Sequence, residues 1–326
     1  MKYRQLGGTG LSVSEIGFGA WGLGGDKGGS RAYGPVDDAE SSRALRRALD
    51  LGVNFFDTSD FYGFGHSEEI IGRAFRGDRD RVIIASKAGM LDAEGRQDFS
   101  PARLRSSLEA TLRRLGTDRL DLYQLHSPPV GLLLEKPEIL GTLRDLAREG
   151  KIRACGVSLR SPDEGLKLLG AAVTGCVQVN FNLADQRARV NGLLDLCRSK
   201  GTGVIARTPL CFGFLTGLYT ETSSLPGSDH RRRWSPAQVE RWNQAAGLFA
   251  AALGLPGAQT PAQAALRFCL SYPGITSSIP GMLTAAQVEE NAAASGLGPL
   301  TDEALIKVQE LYGNGDFMEG PVRTGP

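Results

Sequence analysis

Eight apolar runs of strand length, separated by stretches of helical period, constrain this chain more tightly than anything else in it. The runs fall at 15–19, 53–56, 82–86, 120–125, 154–157, 177–180, 204–206 and 275–279. The helix-period stretches fall at 37–51, 67–75, 100–115, 139–149, 162–171, 191–200, 261–271 and 284–294. Strands that are apolar throughout must be covered on both faces, which in alternation with helices means a parallel sheet wrapped by helices. Eight such units suit a closed (β/α)8 TIM barrel, with an open doubly wound sheet as the alternative. The barrel is preferred because Asp57, Lys87, His126, Ser158, Gln178, Thr208 and Gly281 fall at or near the C-terminal ends of successive runs. At that end of a barrel the loops converge on one site, whereas an open sheet would string these residues along an edge.

Local signals place the boundaries. Residues 3–6 and 11–14 flank Gly7-Gly8-Thr9-Gly10 and read as an N-terminal β-hairpin. Ser100-Pro101, Ser161-Pro162, Ser235-Pro236 and Thr260-Pro261 each set a capping hydroxyl before a proline at the first helical position. The last three add Glu164, Gln238 and Gln263 where a capping box needs them. The start at Ser235 implies a helix beyond the eight, so extra helices are expected. No linker or shift of composition divides residues 1–326, and 326 residues at 41% hydrophobic can bury the core of a single barrel domain.

Composition excludes several classes of function. A formal net charge of +1 gives no general attraction to nucleic acid or to an anionic membrane surface. No apolar run approaches the ~18 residues of a membrane span, and Met1-Lys2-Tyr3-Arg4 leads into Gly and Thr rather than an apolar leader, so a cytoplasmic protein is expected. The five cysteines are scattered without Cys-x-x-Cys or His-rich spacing and read as buried small apolar residues; no metal site is expected.

The chemistry concentrates where strands end. The run at 53–56 empties into Asp57, Thr58, Ser59, Asp60 and Tyr62, the run at 82–86 into Lys87, and the run at 120–125 into His126. Side by side, these bring a carboxylate, a phenol, an ammonium and an imidazole together, a set able to transfer protons. One motif points elsewhere. Gly17-Phe18-Gly19-Ala20-Trp21-Gly22 fits G-x-G-x-x-G after a strand, with Asp37 and Asp38 at the distance of a ribose-binding carboxylate. A dinucleotide fingerprint must open directly into a helix, which Leu23-Gly24-Gly25-Asp26-Lys27-Gly28-Gly29 cannot begin, so the segment reads as a flexible loop on the substrate side.

The motifs together resemble the aldo-keto reductases, in particular the bacterial sugar- and carbonyl-reducing members and the related potassium-channel beta subunits. The resemblance rests on Asn54-Phe55-Phe56-Asp57-Thr58-Ser59-Asp60-Phe61-Tyr62-Gly63 with Gly65-His66-Ser67-Glu68-Glu69, and on Ser86-Lys87-Ala88-Gly89. Further matches are Leu122-Tyr123-Gln124-Leu125-His126, Gly156-Val157-Ser158, Gln178-Val179-Asn180-Phe181-Asn182, and Ile279-Pro280-Gly281 followed by Gln287-Val288-Glu289-Glu290-Asn291. It covers nearly the whole chain and implies a (β/α) barrel that binds an extended nicotinamide cofactor without a dinucleotide fingerprint.

A free tyrosine, with a pKa near ~10, is a poor proton donor or acceptor at neutral pH. A neighbouring ammonium should stabilise its phenolate and lower that pKa, and a carboxylate should keep the ammonium charged and in place. Asp57, Tyr62 and Lys87 are therefore read as a linked catalytic set with Tyr62 as the acid in reduction, and His126 as the group that orients the carbonyl or shares the proton. The resemblance implies a cofactor site in which Ser158 and Gln178 hold the nicotinamide carboxamide and Arg207 packs on the ring. It further implies that Thr208, Pro209, Leu210, Gly213, Leu215 and Thr216 turn over the pyrophosphate, and that Gly281, Thr284, Gln287, Glu290 and Asn291 meet the adenosine side. Leu159 stands where many members have Asn after the serine. Trp21 and Phe61 are expected to wall the substrate pocket, with Trp21 also near the cofactor, and residues 127–134 and 317–326 to complete it. His66 and His230 receive no role.

Cofactor choice divides the evidence. Recognition of a ribose 2′-phosphate needs well-placed cations, and Leu218 and Leu283 are apolar at two positions that commonly supply them in similar proteins. Arg231-Arg232-Arg233 lies in the long loop after the seventh strand and can supply one through Arg231. NADP(H) is expected to be modestly preferred, with NAD(H) tolerated. The substrate is expected to be a sugar or other small aldehyde or ketone; composition does not fix the oligomeric state. The alternatives are a redox-sensing nicotinamide-binding protein with little turnover and an NAD-preferring dehydrogenase.

Overall fold

The computed structural model describes residues 1–27, 32–172, 174–219, 225–254, 257 and 259–318. A hairpin of β1 (Tyr3–Gln5) and β2 (Ser12–Ser14) precedes eight parallel strands. These are β3 (Phe18–Gly19), β4 (Phe55–Asp57), β5 (Ile83–Ala88), β6 (Leu120–His126), β7 (Ile152–Ser158), β8 (Cys176–Asn180), β9 (Gly203–Arg207) and β10 (Ile275–Ile279). They pair in chain order from β3 to β10. Parallel bridges Ile16↔Ser278 and Gly19↔Gly281 join the first strand region to the last, and the Gly17 and Gly19 amides donate to the carbonyls of Ser278 and Pro280, each at 2.9 Å. The sheet is thus a nearly closed barrel.

The expected helices form at α1 (Asp38–Asp50), α2 (His66–Ala74), α3 (Pro101–Leu115), α5 (Glu138–Arg148), α6 (Pro162–Ala171), α8 (Leu193–Ser199), α10 (Pro261–Leu270) and α11 (Ala285–Leu297), with α4 (Val130–Glu135), α7 (Arg187–Val190), α9 (Pro236–Ala252) and α12 (Asp302–Asn314) as additions. The capping chemistry acts as its residue types require. Ser100, Ser161, Ser235 and Thr260 each accept from the amide three residues on, and Thr260 with Gln263 completes a reciprocal capping box. No helix among the described residues is long and apolar enough to cross a membrane.

The glycines of the G-x-G-x-x-G stretch serve barrel closure. A Cβ on Gly19 would sit 2.8 Å from the Ile279 carbonyl oxygen, and one on Gly17 would sit 2.9 Å from an Ile279 side-chain carbon. Residues Trp21–Gly24 form a 3-10 turn where a dinucleotide fold would start its helix. At the opposite end, Leu6, Leu11 and Val13 of the hairpin close the barrel floor against Phe55, Ala85, Leu122, Ala154, Cys176 and Ile205.

Candidate active site

Side chains alternate along a strand, so one inward column of residues climbs each barrel strand. The floor cluster is the lowest layer. Two residues further along the same strands stand Asp57, Lys87, Gln124, Gly156, Gln178 and Arg207. At Gly156 there is no room for a side chain, since a Cβ would lie 2.4 Å from Cys176 Sγ. His126, Ser158 and Asn180 begin the layer above. The register His126↔Ser158↔Gln178 sets the ends of β6 and β7 level with Gln178, two residues before the end of β8.

Lys87 Nζ donates to Asp57 Oδ1 at 2.5 Å, to the Thr58 carbonyl at 2.8 Å and to Tyr62 Oη at 3.2 Å. Asp57 Oδ2 accepts from the side-chain amides of Gln124 at 3.0 Å and Gln178 at 2.9 Å. Every oxygen and proton of the buried pair therefore has a partner, which a desolvated ion pair needs if it is to persist. Burial alone would drive the Lys87 ammonium down, but Asp57 and the Tyr62 oxygen more than offset this and hold its pKa above the ordinary lysine value. Tyr62 departs from the sequence expectation. Its pKa lies above the ordinary phenol value because burial outweighs the pull of Lys87, and the Asp57 charge beside Lys87 cancels part of that pull. The phenol is a fully protonated acid at neutral pH.

The backbone around Tyr62 is forced into place. Gly63 has φ +61°, and a Cβ there would sit 2.4 Å from the Gly24 carbonyl oxygen. Phe64 and Gly65 follow at φ +50° and +101°. Gly63→Ala is expected to combine positive-φ strain with a backbone clash and to destabilise the fold by about 2–4 kcal/mol, measured as a lowered urea midpoint at unchanged m-value.

His126 is neutral: burial, then the charges of Lys87 and Arg207, keep the imidazole well below its usual value. Its Nδ1 lies 3.0 Å from Ser59 Oγ. Behind it, Ser127 takes a left-handed backbone at φ +54°. Gln97 Nε2 donates to the carbonyls of His126 and Ser127 at 3.1 and 3.0 Å, and Arg160 Nε adds a bond to Ser127 at 2.8 Å. These bonds brace the strained residue and aim the imidazole.

Tyr62, His126, Asp57, Gln178 and Arg207 line an inner cavity whose remaining wall includes Trp21, Tyr33, Phe212 and Trp234. Arg207 Nη2 donates to the Leu159 carbonyl at 2.8 Å, while its Nε is buried without a hydrogen-bond partner. The Leu159 side chain is itself buried and takes no part in the cavity. An outer cavity shares Tyr33, Thr208, Phe212 and Gly281 with the inner one. It is lined by Pro209, Leu210, Gly213 and Thr216 on one side and by Gln287, Glu290 and Asn291 on the other. Thr208, Cys211 and Phe212 turn at φ +51°, +47° and +58°, and Asn182 and Asn180 hold Thr208 through its carbonyl at 2.9 Å and its hydroxyl at 3.0 Å.

Two of the consecutive arginines line cavities, Arg231 the outer and Arg233 the inner, while Arg232 donates to the Leu225 carbonyl at 2.9 Å. The Arg231 guanidinium makes a two-pronged bond to Asp229 and lies 4.0 Å from the Tyr219 ring centroid. His230 latches this loop over the barrel: its backbone amide and Nδ1 both donate to the Ala32 carbonyl, at 2.8 and 2.9 Å, and its ring lies 4.3 Å from Trp21. The sequence reading gave His230 no role. His66 bonds Asp38 at the surface, 2.9 Å away.

Several anticipated residues stand off the cavity walls. Phe61 is buried edge-on to Phe64 and His126; Ser158, Leu215 and Thr284 line neither cavity, and Thr284 instead caps α11 by accepting from the Gln287 amide at 3.3 Å. No residue of 127–134 lines either cavity, its residues from Val130 on lying in α4; Phe317 packs on Phe249, and 319–326 lie outside the described residues. Conversely, Gln124, Asn180, Tyr33, Phe212 and Trp234 belong to the site and were missed. Gln124 and Asn180 were findable, since each sits two residues along its strand from another inward-facing position.

The chain resembles known proteins along nearly its whole length. Residues 15–312 match the family model described as the aldo/keto reductase family. The chain is 34% identical to L-galactose dehydrogenase of Arabidopsis thaliana over 95% of its length and 94% of the relative's. It is 33% identical to aldo-keto reductase YhdN of Bacillus subtilis over 91% of its length and 89% of that protein's. The solved structure of the glycerol dehydrogenase AKR11B4 of Gluconobacter oxydans superposes with a TM-score of 0.79 at 28% identity, covering 99% of this chain and 98% of that one.

Proposed function

The chain belongs to the aldo/keto reductase family, and on that footing we propose that it reduces a small aldehyde or ketone of sugar size to the alcohol, with Tyr62 as the proton donor. The observation that carries this reading is the Asp57–Lys87–Tyr62 chain of 2.5 and 3.2 Å contacts on the wall of the inner cavity. A nicotinamide cofactor, when bound, supplies the hydride. The residues suit it: Thr208, Pro209, Leu210, Phe212 and Gly213 wall the outer cavity through a turn that is left-handed at Thr208, Phe212 and Gly213, a concave backbone that suits an extended anion such as a pyrophosphate, and the buried Nε of Arg207 at the inner cavity has no protein partner. As the carbonyl becomes an alkoxide, Tyr62 gives up its proton, Lys87 stabilises the phenolate left behind, and Asp57, held by Gln124 and Gln178, keeps Lys87 charged. Neutral His126, its ring edge-to-face with Tyr62 at 5.8 Å between centroids, orients the carbonyl.

The experiment is turnover against aldoses, keto-sugars and aromatic aldehydes with each reduced nicotinamide. Consumption of neither cofactor with any carbonyl would sink the reading and favour a redox sensor.

Cofactor preference should be shallow. Asp229 neutralises Arg231, and Leu218, Leu283 and Glu290 add no cation to the outer cavity. NADPH is expected to bind more tightly than NADH by no more than about ten-fold. Dissociation constants for both at fixed salt check this; tighter binding of NADH overturns it.

A further inference from the structure

We propose that Asp60 is a positioning residue for carbonyl reduction: through the Ser59 hydroxyl it sets which ring nitrogen of His126 carries the proton, and so whether His126 offers an N–H or a lone pair to the substrate oxygen. The proposal rests on the reductase reading of the same site.

The geometry begins with the one hydrogen of Ser59 Oγ. Three acceptors lie within its reach: His126 Nδ1 at 3.0 Å, Asp60 Oδ1 at 3.3 Å and the Lys87 carbonyl at 3.3 Å. The Ser59 oxygen already accepts the Phe61 amide at 3.1 Å, and the Lys87 carbonyl already accepts the Asp60 amide at 3.2 Å. Nδ1 is engaged by Ser59, so Nε2 is the ring nitrogen left to the cavity that His126 lines. An ionised Asp60 is the strongest acceptor of the three and draws the Ser59 hydrogen to itself. Nδ1 must then donate to Ser59, and Nε2 presents a lone pair that repels a carbonyl oxygen. A protonated Asp60 ceases to compete. Ser59 then donates to Nδ1, and Nε2–H points at the substrate.

The surroundings place this switch in the neutral range. Charged and titratable neighbours of Asp60 are Glu68 on α2, Arg103 and Arg114 on α3, Tyr123 on β6, and Lys87 and His126 at the site. Glu68 is already bound by Arg114, Ser86 and Thr111 at 2.6, 2.6 and 2.9 Å, and the Tyr123 hydroxyl by the Leu104 carbonyl at 2.9 Å. Loss of hydration, then the Glu68 charge, raise Asp60 to about 7 against the opposing pull of Arg114, Arg103 and Ser59. Tyr62 and Lys87 lie above their ordinary values and His126 well below its own, so those three hold one charge state through this range. With its pKa raised, Asp60 is protonated below about 7 and ionised above it, and reduction should weaken as pH rises through that value.

The test pairs kinetics with a readout that needs no turnover. Between about pH 6 and about pH 8.5, kcat/KM for reduction should fall about ten-fold, the worth of one hydrogen bond to the carbonyl. Nitrogen-15 spectra of His126 should pass from the Nε2–H to the Nδ1–H tautomer over the same range. The chain has three histidines, so the signals are assigned by their loss in His126→Gln. Asp60→Asn, whose amide can donate to Ser59 at every pH, should abolish both the fall and the tautomer change. Ser59→Ala should remove the pH dependence with Asp60 intact. A His126 tautomer that is the same at both pH values in the unmodified protein, or a change that persists in Asp60→Asn, overturns the proposal. If the tautomer obeys Asp60 but no carbonyl is turned over, the reductase reading fails and the relay stands; turnover with a pH-independent tautomer means the reverse.

Discussion

Lys87→Met should cost the fold about 3–5 kcal/mol, the usual penalty for removing one partner of a buried ion pair. Lys87 is wholly buried and Asp57 nearly so, and the substitution leaves the Asp57 carboxylate with only the neutral amides of Gln124 and Gln178. The loss should be smaller in the Asp57→Asn, Lys87→Met double variant, because no unpaired charge then remains. Urea denaturation of both variants checks this. Equal destabilisation would mean that packing around the long lysine stem, rather than the pairing, holds this layer of the barrel. The single variant should also lose carbonyl reduction by several orders of magnitude, since no cation remains beside the Tyr62 oxygen to stabilise a phenolate.

Tyr62→Phe should leave the fold and the cofactor affinity within a few-fold of normal and lower kcat/KM for reduction by about 10²–10⁴-fold. The phenol meets Lys87 at 3.2 Å, the longest of the three Lys87 bonds, so its removal leaves the tighter Lys87–Asp57 contact intact. The pH dependence separates Tyr62 from its neighbours. With a pKa above the ordinary phenol value, it stays protonated through the neutral range, so reduction should show no Tyr62 limb there, while oxidation of the alcohol, which needs the phenolate, should speed up as pH rises. A reduction rate that fell near neutrality in the Asp60→Asn variant would place the Tyr62 pKa lower than its burial implies.

Much of the fold was legible because an eight-fold alternation of apolar runs and helical periods admits few architectures, and β10 falls on the residues the pattern picks out. The strand ends were legible for the same reason: alternation fixes which residues face inward once the strands are placed. The four residues read as catalytic, Asp57, Tyr62, Lys87 and His126, do meet in space, with Tyr62 reaching the cluster from the loop after β4. What escaped reading depends on distance across the chain. Tyr33 and Phe212 reach the cavity from loops with no period, and α12 buries only Val308 among its own residues, which gives little apolar signal. Gln124 was passed over beside His126 because a neutral amide suggests no chemistry until Asp57 is found accepting from it. The direction of the Tyr62 shift was misjudged because the ammonium is plain in the sequence while the degree of burial is not. His230, placed in a polar loop, is buried against Trp21 and Tyr33 for a related reason: its partner, the Ala32 carbonyl, is backbone and leaves no trace in residue type.

On the proposed reading, Tyr62 delivers the proton that completes hydride transfer in the cavity it shares with His126. The most direct measurement is a single turnover in stopped flow, with Tyr62→Phe and the unmodified protein each saturated with reduced nicotinamide and mixed with an excess of a carbonyl found to react. The expected result is equal cofactor binding, a hydride-transfer step slowed by at least about 10²-fold in Tyr62→Phe, and a primary isotope effect from deuterated cofactor on that slowed step. A single-turnover rate unchanged by the substitution would contradict it.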